Sequence, residues 1–250
     1  MDFPTLQAHL IAEAARLKTA AGAVAPDATV PTCPAWTAAD LLDHVTETYD
    51  HKIQSMRLLR APGEDFRIAR PGTPAEQFDT ALVDLLTEFE QRGPDSLAYT
   101  WYGPDQTVGF WIRRMAQETL VHRVDAELAA GQAISPVDPA LAADGIDEML
   151  QVMLTWGSRA YRDQIAPELN DADGLAVALD DGERTWTVRV AAGTVTATPG
   201  AAGDAQARVS ADTGTLLLWL WRRVPAGAVR IEGDADRAVG LYDLIGAFAQ

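Results

Sequence analysis

The chain has 250 residues, 48% of them apolar and 22% charged, which is enough hydrophobic material for one large domain or two modest ones and excludes a disordered tail, a collagen or a disulfide mini-protein. Its formal net charge is −16, from 20 basic against 36 acidic residues, so a polyanion would be repelled over most of the surface and nucleic-acid binding is not expected. One cysteine closes no internal disulfide. With no positively charged, then apolar, leader at Met1-Asp2-Phe3-Pro4, the expectation is a protein of the cytoplasm. The densest apolar run, 216–221, is far short of a membrane span, so no membrane partner is expected.

In chain order, apolar residues first recur at intervals of three and four, the helical period. A first helix is expected over about 4–24, with Leu6, Leu10 and Leu17 on one side. A second opens at Thr37, where Thr37-Ala38-Ala39-Asp40 resembles a capping box, and carries Leu41, Val45, Tyr49 and Met56. A third begins at Thr73-Pro74-Ala75-Glu76, runs through Phe78, Leu82, Leu85 and Phe89, and stops at Gly93-Pro94. A fourth spans about 109–130 and ends at Gly131. Four helices of this length point to an all-α bundle.

A fifth helical stretch, about 139–164, precedes a change of period. Leu175, Val177 and Leu179 alternate, Asp180-Asp181-Gly182 turns, and Trp186, Val188 and Val190 resume. Short strands are expected at 194–198, 207–210 and 228–232, with helices over 213–222 and 234–249. The fold class is therefore multidomain: a four-helix bundle, residues 1–165, followed by a small α+β domain, residues 166–250.

Four histidines allow each to be weighed. Glu118 and His122 stand one turn apart on the fourth helix, on the stripe that carries Trp111 and Met115, whereas Arg113, Gln117, Arg123 and Glu127 point largely away. A buried carboxylate needs a partner, and a divalent metal would satisfy both groups; an intrahelical Glu–His pair is the plain alternative. His44, at the edge of the second helix's apolar face, is the best third ligand. His9 and His51 read as surface residues, and Cys33, between two prolines, as a loop residue ahead of the second helix that is a soft ligand or a small buried apolar group. Asp125 is placed either to orient an imidazole N–H or to pair with Arg123. Two histidines and one carboxylate leave a coordination position open, which points to catalysis more than architecture.

Two segments resemble a known family. Val30-Pro31-Thr32-Cys33-Pro34-Ala35-Trp36-Thr37, followed by Leu41-Leu42-Asp43-His44, is similar to the signature opening the second helix of mycothiol-dependent maleylpyruvate isomerases. Met115 to Ala126, with Glu118, His122 and Asp125, is similar to their second signature. Ala35 replaces a glycine often found before that tryptophan. The resemblance implies a DinB-like metal-binding four-helix bundle with His44, Glu118 and His122 as zinc ligands, and a C-terminal domain related to sterol carrier protein 2. It also implies an arginine of that domain assisting catalysis, for which Arg222 and Arg223 are candidates beside the alternative of a helix C-cap pair.

The function expected is a metal- and thiol-dependent enzyme. A zinc-bound thiolate of mycothiol or a similar low-molecular-weight thiol attacks a small electrophile, giving cis–trans isomerisation, as of maleylpyruvate, or S-transfer. Trp111 and Met115 are expected as an apolar wall for the bound molecules or as core. The rival readings are a non-enzymatic apolar-ligand binder with a structural metal, and a metal-dependent hydrolase.

Overall fold

The structure, a computed structural model, describes residues 1–63 and 66–249. Gln250, the last residue of the expected second domain, lies outside the described residues. The chain divides into two compact units, Met1–Ser135 and Pro136–Gln250.

The first unit is built on four helices: α1 (Phe3–Ala21), α2 (Ala38–Leu58), α3 (Pro74–Arg92) and α4 (Val108–Ala129). Their starts are fixed by side-chain caps. Asp2 accepts from Thr5 N, Thr107 from Phe110 N, and reciprocal capping boxes join Thr37 to Asp40 and Thr73 to Glu76. Each such cap is worth about 1 kcal/mol. Two ends use glycine as the sequence leads one to expect: Gly93 at φ 77° closes α3, and Gly131 at φ 63° follows α4. Ahead of α2, where a plain loop is expected, β1 (Thr29–Val30) pairs antiparallel with β2 (Cys33–Thr37), so Cys33 sits in a strand. This ribbon packs against both α2 and α4.

α4 is the central rod. It packs against α1, α2 and α3 and is buried nearly all round. Gln117, Arg123 and Glu127, expected to face away, are inside. The reason lies on α1: Glu13 accepts from Arg123 Nε at 2.7 Å, Arg123 Nη1 donates to Glu127 at 2.7 Å and to the Ser135 carbonyl at 3.0 Å, and the opposite charges offset one another's desolvation.

The second unit begins earlier than the expected boundary at 165/166. α5 (Pro139–Glu148) runs into a π-helical stretch, Met149–Trp156, and then α6 (Gly157–Ala160). The π stretch packs on a strand of the second unit's own sheet and α5 on one of its helices, which is why these residues belong to it. A short helix α7 (Ala166–Asp171), not expected from the periodicity, leads to β3 (Ala176–Asp180), β4 (Thr185–Ala191), β5 (Thr194–Pro199) and β6 (Ala207–Ser210). α8 (Thr213–Leu220), β7 (Arg230–Gly233) and α9 (Ala235–Ile245) complete it.

The sheet order is β5-β4-β3-β6-β7, with β3 and β6 parallel and the other pairs antiparallel. β3 and β4 are joined at Asp180-Asp181-Gly182 as the sequence suggests, with Asp180 opposite Thr185 and Gly182 at φ 91°. β3 is the middle strand and is buried on both faces, Ala176 and Ala178 filling the side opposite Val177 and Leu179.

Candidate metal centre

The α2 capping box sets where that helix begins, and so places His44 two turns in; α4 carries Glu118 and His122 at i and i+4. The two helices bring these three side chains together. Glu118 Oε1 lies 3.5 Å from His44 Nε2 and 3.3 Å from His122 Nε2, and one ligand atom from each residue falls within 4.8 Å of the others. The imidazole centroids are 5.0 Å apart at 76°. Side-chain exposure grades from 6% at His122 through 21% at Glu118 to 36% at His44, so the group is rooted in the bundle and open on the α2 side.

Asp125 decides how His122 is presented. It is fully buried, accepts from His122 Nδ1 at 2.9 Å, and accepts from Thr32 Oγ1 at 2.5 Å. Of its two expected roles it therefore takes the first, while Arg123 turns to Glu13 and Glu127. With Nδ1 donating to Asp125, it is Nε2 of His122 that faces Glu118. Arg114 Nη2 lies 3.3 Å from the other carboxylate oxygen of Glu118.

Two imidazole nitrogens thus converge on one carboxylate oxygen. Such a set is satisfied by a proton or by a cation. Burial pushes the Glu118 carboxyl up, but hydrogen bonds to His122 and His44 hold it well below the usual carboxylate range. Burial pushes the His122 imidazole down, yet the bonds to Asp125 and Glu118 override it and raise it to about 9. The pocket is therefore built to hold positive charge. Its nitrogen and oxygen donors fit a divalent ion of the zinc type, and among the described residues no further His, Cys, Asp or Glu joins the group.

Trp36, which the residue pattern did not single out, forms a wall: its ring centroid is 4.4 Å from that of His44 and 5.9 Å from that of His122. Its position one residue before the α2 N-cap is the signal that could have found it, since that residue folds back over the first turn. Trp111 and Met115 are both buried; the indole N–H of Trp111 donates to the Tyr99 carbonyl at 2.8 Å. His51 is half-buried rather than on the surface, 3.4 Å from Lys52 Nζ, and burial lowers its imidazole to about 4. Cys33 is not part of the ligand group. In the second unit Arg222 is exposed, at φ 58° just past α8, with its guanidinium 4.5 Å from the Tyr242 ring centroid. Arg223 is buried and donates to the carbonyls of Trp221 and Ala249.

Comparison with protein families matches residues 8–127 to the mycothiol maleylpyruvate isomerase N-terminal domain and residues 140–240 to the C-terminal domain of the same isomerase. The chain belongs to the mycothiol maleylpyruvate isomerase family. All three ligand-group residues, with Asp125 and Trp36, fall inside the isomerase N-terminal match. No curated protein matches the chain. Among solved structures, one described as "UbiJ-SCP2 Ubiquinone synthesis protein" is similar at 19% identity with a TM-score of 0.32, covering 46% of this chain and 95% of that one. Among the described residues no helix is long and apolar enough to cross a membrane.

Proposed function

We propose that this family member is a thiol-dependent isomerase or S-transferase acting on a small electrophile, with a divalent cation, zinc by its donor set, held by His44 Nε2, Glu118 and His122 Nε2. The observation that carries the reading is the convergence of two imidazole nitrogens on one carboxylate oxygen, with no fourth protein donor among the described residues, inside the region matched to the isomerase N-terminal domain. The cation supplies positive charge that keeps a thiol ionised near neutral pH.

The chain's own residues do the rest. Asp125 keeps the Nδ1 proton of His122 and so keeps Nε2 available, and Arg114 steadies the far oxygen of Glu118. Trp36 shields the imidazoles from bulk water. The cosubstrate is mycothiol or a similar small thiol. Its sulfur adds to one carbon of a cis double bond and a proton to the other; the resulting single bond rotates, and loss of the same proton and thiolate leaves the trans isomer. Retention of the adduct makes the reaction an S-transfer. Of the two arginines of the second unit, Arg222 is the exposed one and so the one free to take a catalytic role, while Arg223 is taken up in holding the carbonyl of Ala249, past the end of α9. Trp111 and Met115 back the site from the core. The working compartment in this reading is the cytoplasm, consistent with a single cysteine.

Metal analysis of the purified chain together with turnover of maleylpyruvate tests it. One divalent ion per chain and turnover that needs added mycothiol are expected, both lost in His44→Ala and His122→Ala. Full turnover in those variants overturns the proposal, turnover without thiol points to hydrolysis, and bound metal with no turnover under either condition points to a binding module.

A further inference from the structure

α2 and α4 carry a second kind of chemistry beside the ligand group. Lys52 stands eight residues past His44 on α2, and Trp111 and Arg114 stand ahead of Glu118 on α4. The helical rise separates the Cα atoms of His44 and Lys52 by about 12 Å, and the Lys52 side chain reaches across to α4 at Trp111, two turns ahead of Glu118.

Lys52 is half-buried, and its Nζ lies 5.0 Å from the Trp111 ring centroid. Its other contact is His51 Nδ1 at 3.4 Å, an imidazole that is neutral at neutral pH. Among the described residues no carboxylate lies within ion-pair distance of it. The contrast with Lys18 is sharp: the chain's other lysine is held by both oxygens of Asp79 at 2.8 Å. The charge of Glu118 is felt at Lys52, but its oxygens face His44, His122 and Arg114. Burial pushes the Lys52 ammonium down to about 8, the charge of Glu118 opposing this and that of Arg114 adding to it. A desolvated cation that, among the described residues, meets a π face and a neutral ring rather than a carboxylate is a costly group to keep in a protein of charge −16, where acids are plentiful. An anion supplied from outside removes that cost.

We propose that Lys52 is the anion-recognising residue of this site, its ammonium donating to a carboxylate of the bound ligand while the ligand's reacting carbon lies at the His44–Glu118–His122 group. The inference rests on the reading of that group as the reactive centre. Lys52 fixes which end of the ligand lies away from that group, and it favours carboxylate-bearing ligands over neutral ones of the same shape. A surface of net negative charge otherwise repels such ligands, so a cation next to the reactive group is what selects them.

Calorimetric titration of the metal-loaded full chain with maleate tests this, alongside Lys52→Met and Lys52→Arg and with metal content measured on each. The expected result is maleate affinity about tenfold or more weaker in Lys52→Met and largely restored in Lys52→Arg, the metal content unchanged throughout. Restoration by arginine separates charge recognition from a packing role on Trp111. Equal affinity in wild type and Lys52→Met, or no maleate binding by the metal-loaded wild type at millimolar concentration, overturns the inference. Maleate binding that depends on Lys52 in a wild-type chain that takes up no metal supports the anion role and overturns the metal reading alone.

Discussion

His122 donates through Nδ1 to Asp125 Oδ2 at 2.9 Å, and that carboxylate is itself held by the Thr32 hydroxyl from the turn between β1 and β2. The imidazole is thus aimed by a residue that touches no ligand. Replacing Asp125 by Asn leaves a group of the same size with the wrong complement of donors and no charge. Zinc affinity is expected to fall roughly 10–100-fold, read by competition with a chromophoric chelator. An unchanged affinity would remove Asp125 from the site.

His51 gives the chain a response to acid. Its imidazole is lowered to about 4 in the folded protein, by burial first and by the charges of Lys52 and Arg67 next, against about 6.5 when unfolded. Between those values the unfolded chain binds more protons, so stability rises with pH there and is lost as pH falls from about 6.5 toward 4. Urea unfolding across that range should show a steeper acid loss for wild type than for His51→Gln. Parallel pH profiles would show that His51 is not the group responsible.

The Glu13–Arg123–Glu127 cluster is buried, and removal of its middle member leaves two acids in the bundle with weaker partners, Glu13 with the half-exposed Arg16 and Glu127 with the Ser135 N–H. Arg123→Met is expected to cost about 3–5 kcal/mol of unfolding free energy. Lys18→Met, which breaks a well-exposed pair with Asp79, should cost under about 1 kcal/mol. Comparable losses in the two variants would show that α1 and α4 are held by apolar packing alone.

Gly233 ends β7 at φ 86°, and a Cβ there would meet the Gln206 carbonyl oxygen at 2.5 Å. Gly233→Ala therefore carries a backbone penalty of about 1–3 kcal/mol before the clash is counted. Because Gln206 also receives the Asp234 N–H through that carbonyl, the loss falls on the β6–β7 edge. Faster hydrogen exchange at β7 than elsewhere in the sheet is the expected signature, and unaltered exchange would contradict it.

The helices of the first unit were legible because their caps and apolar spacing agree, as at Thr37-Asp40 and Thr73-Glu76. The ligand group was legible for a similar reason: Glu118 and His122 are tied by helical spacing, and few histidines compete for the third place. What stayed hidden depends on partners distant in sequence. Arg123 and Glu127 read as a solvated face until Glu13, from another helix, neutralises them. The β1–β2 ribbon is too short to show a period, and the π-helical stretch has the composition of any apolar helix. Lys52 gave no signal, since its meaning lies in Trp111, from another helix.

The indole of Trp36 rests against both imidazoles. An open-shell ion such as cobalt(II), taken up between those rings, becomes the immediate neighbour of a fluorophore and quenches its emission. Loading can therefore be followed by light, without label or chelator, as the part of the signal that a Trp36→Phe chain lacks.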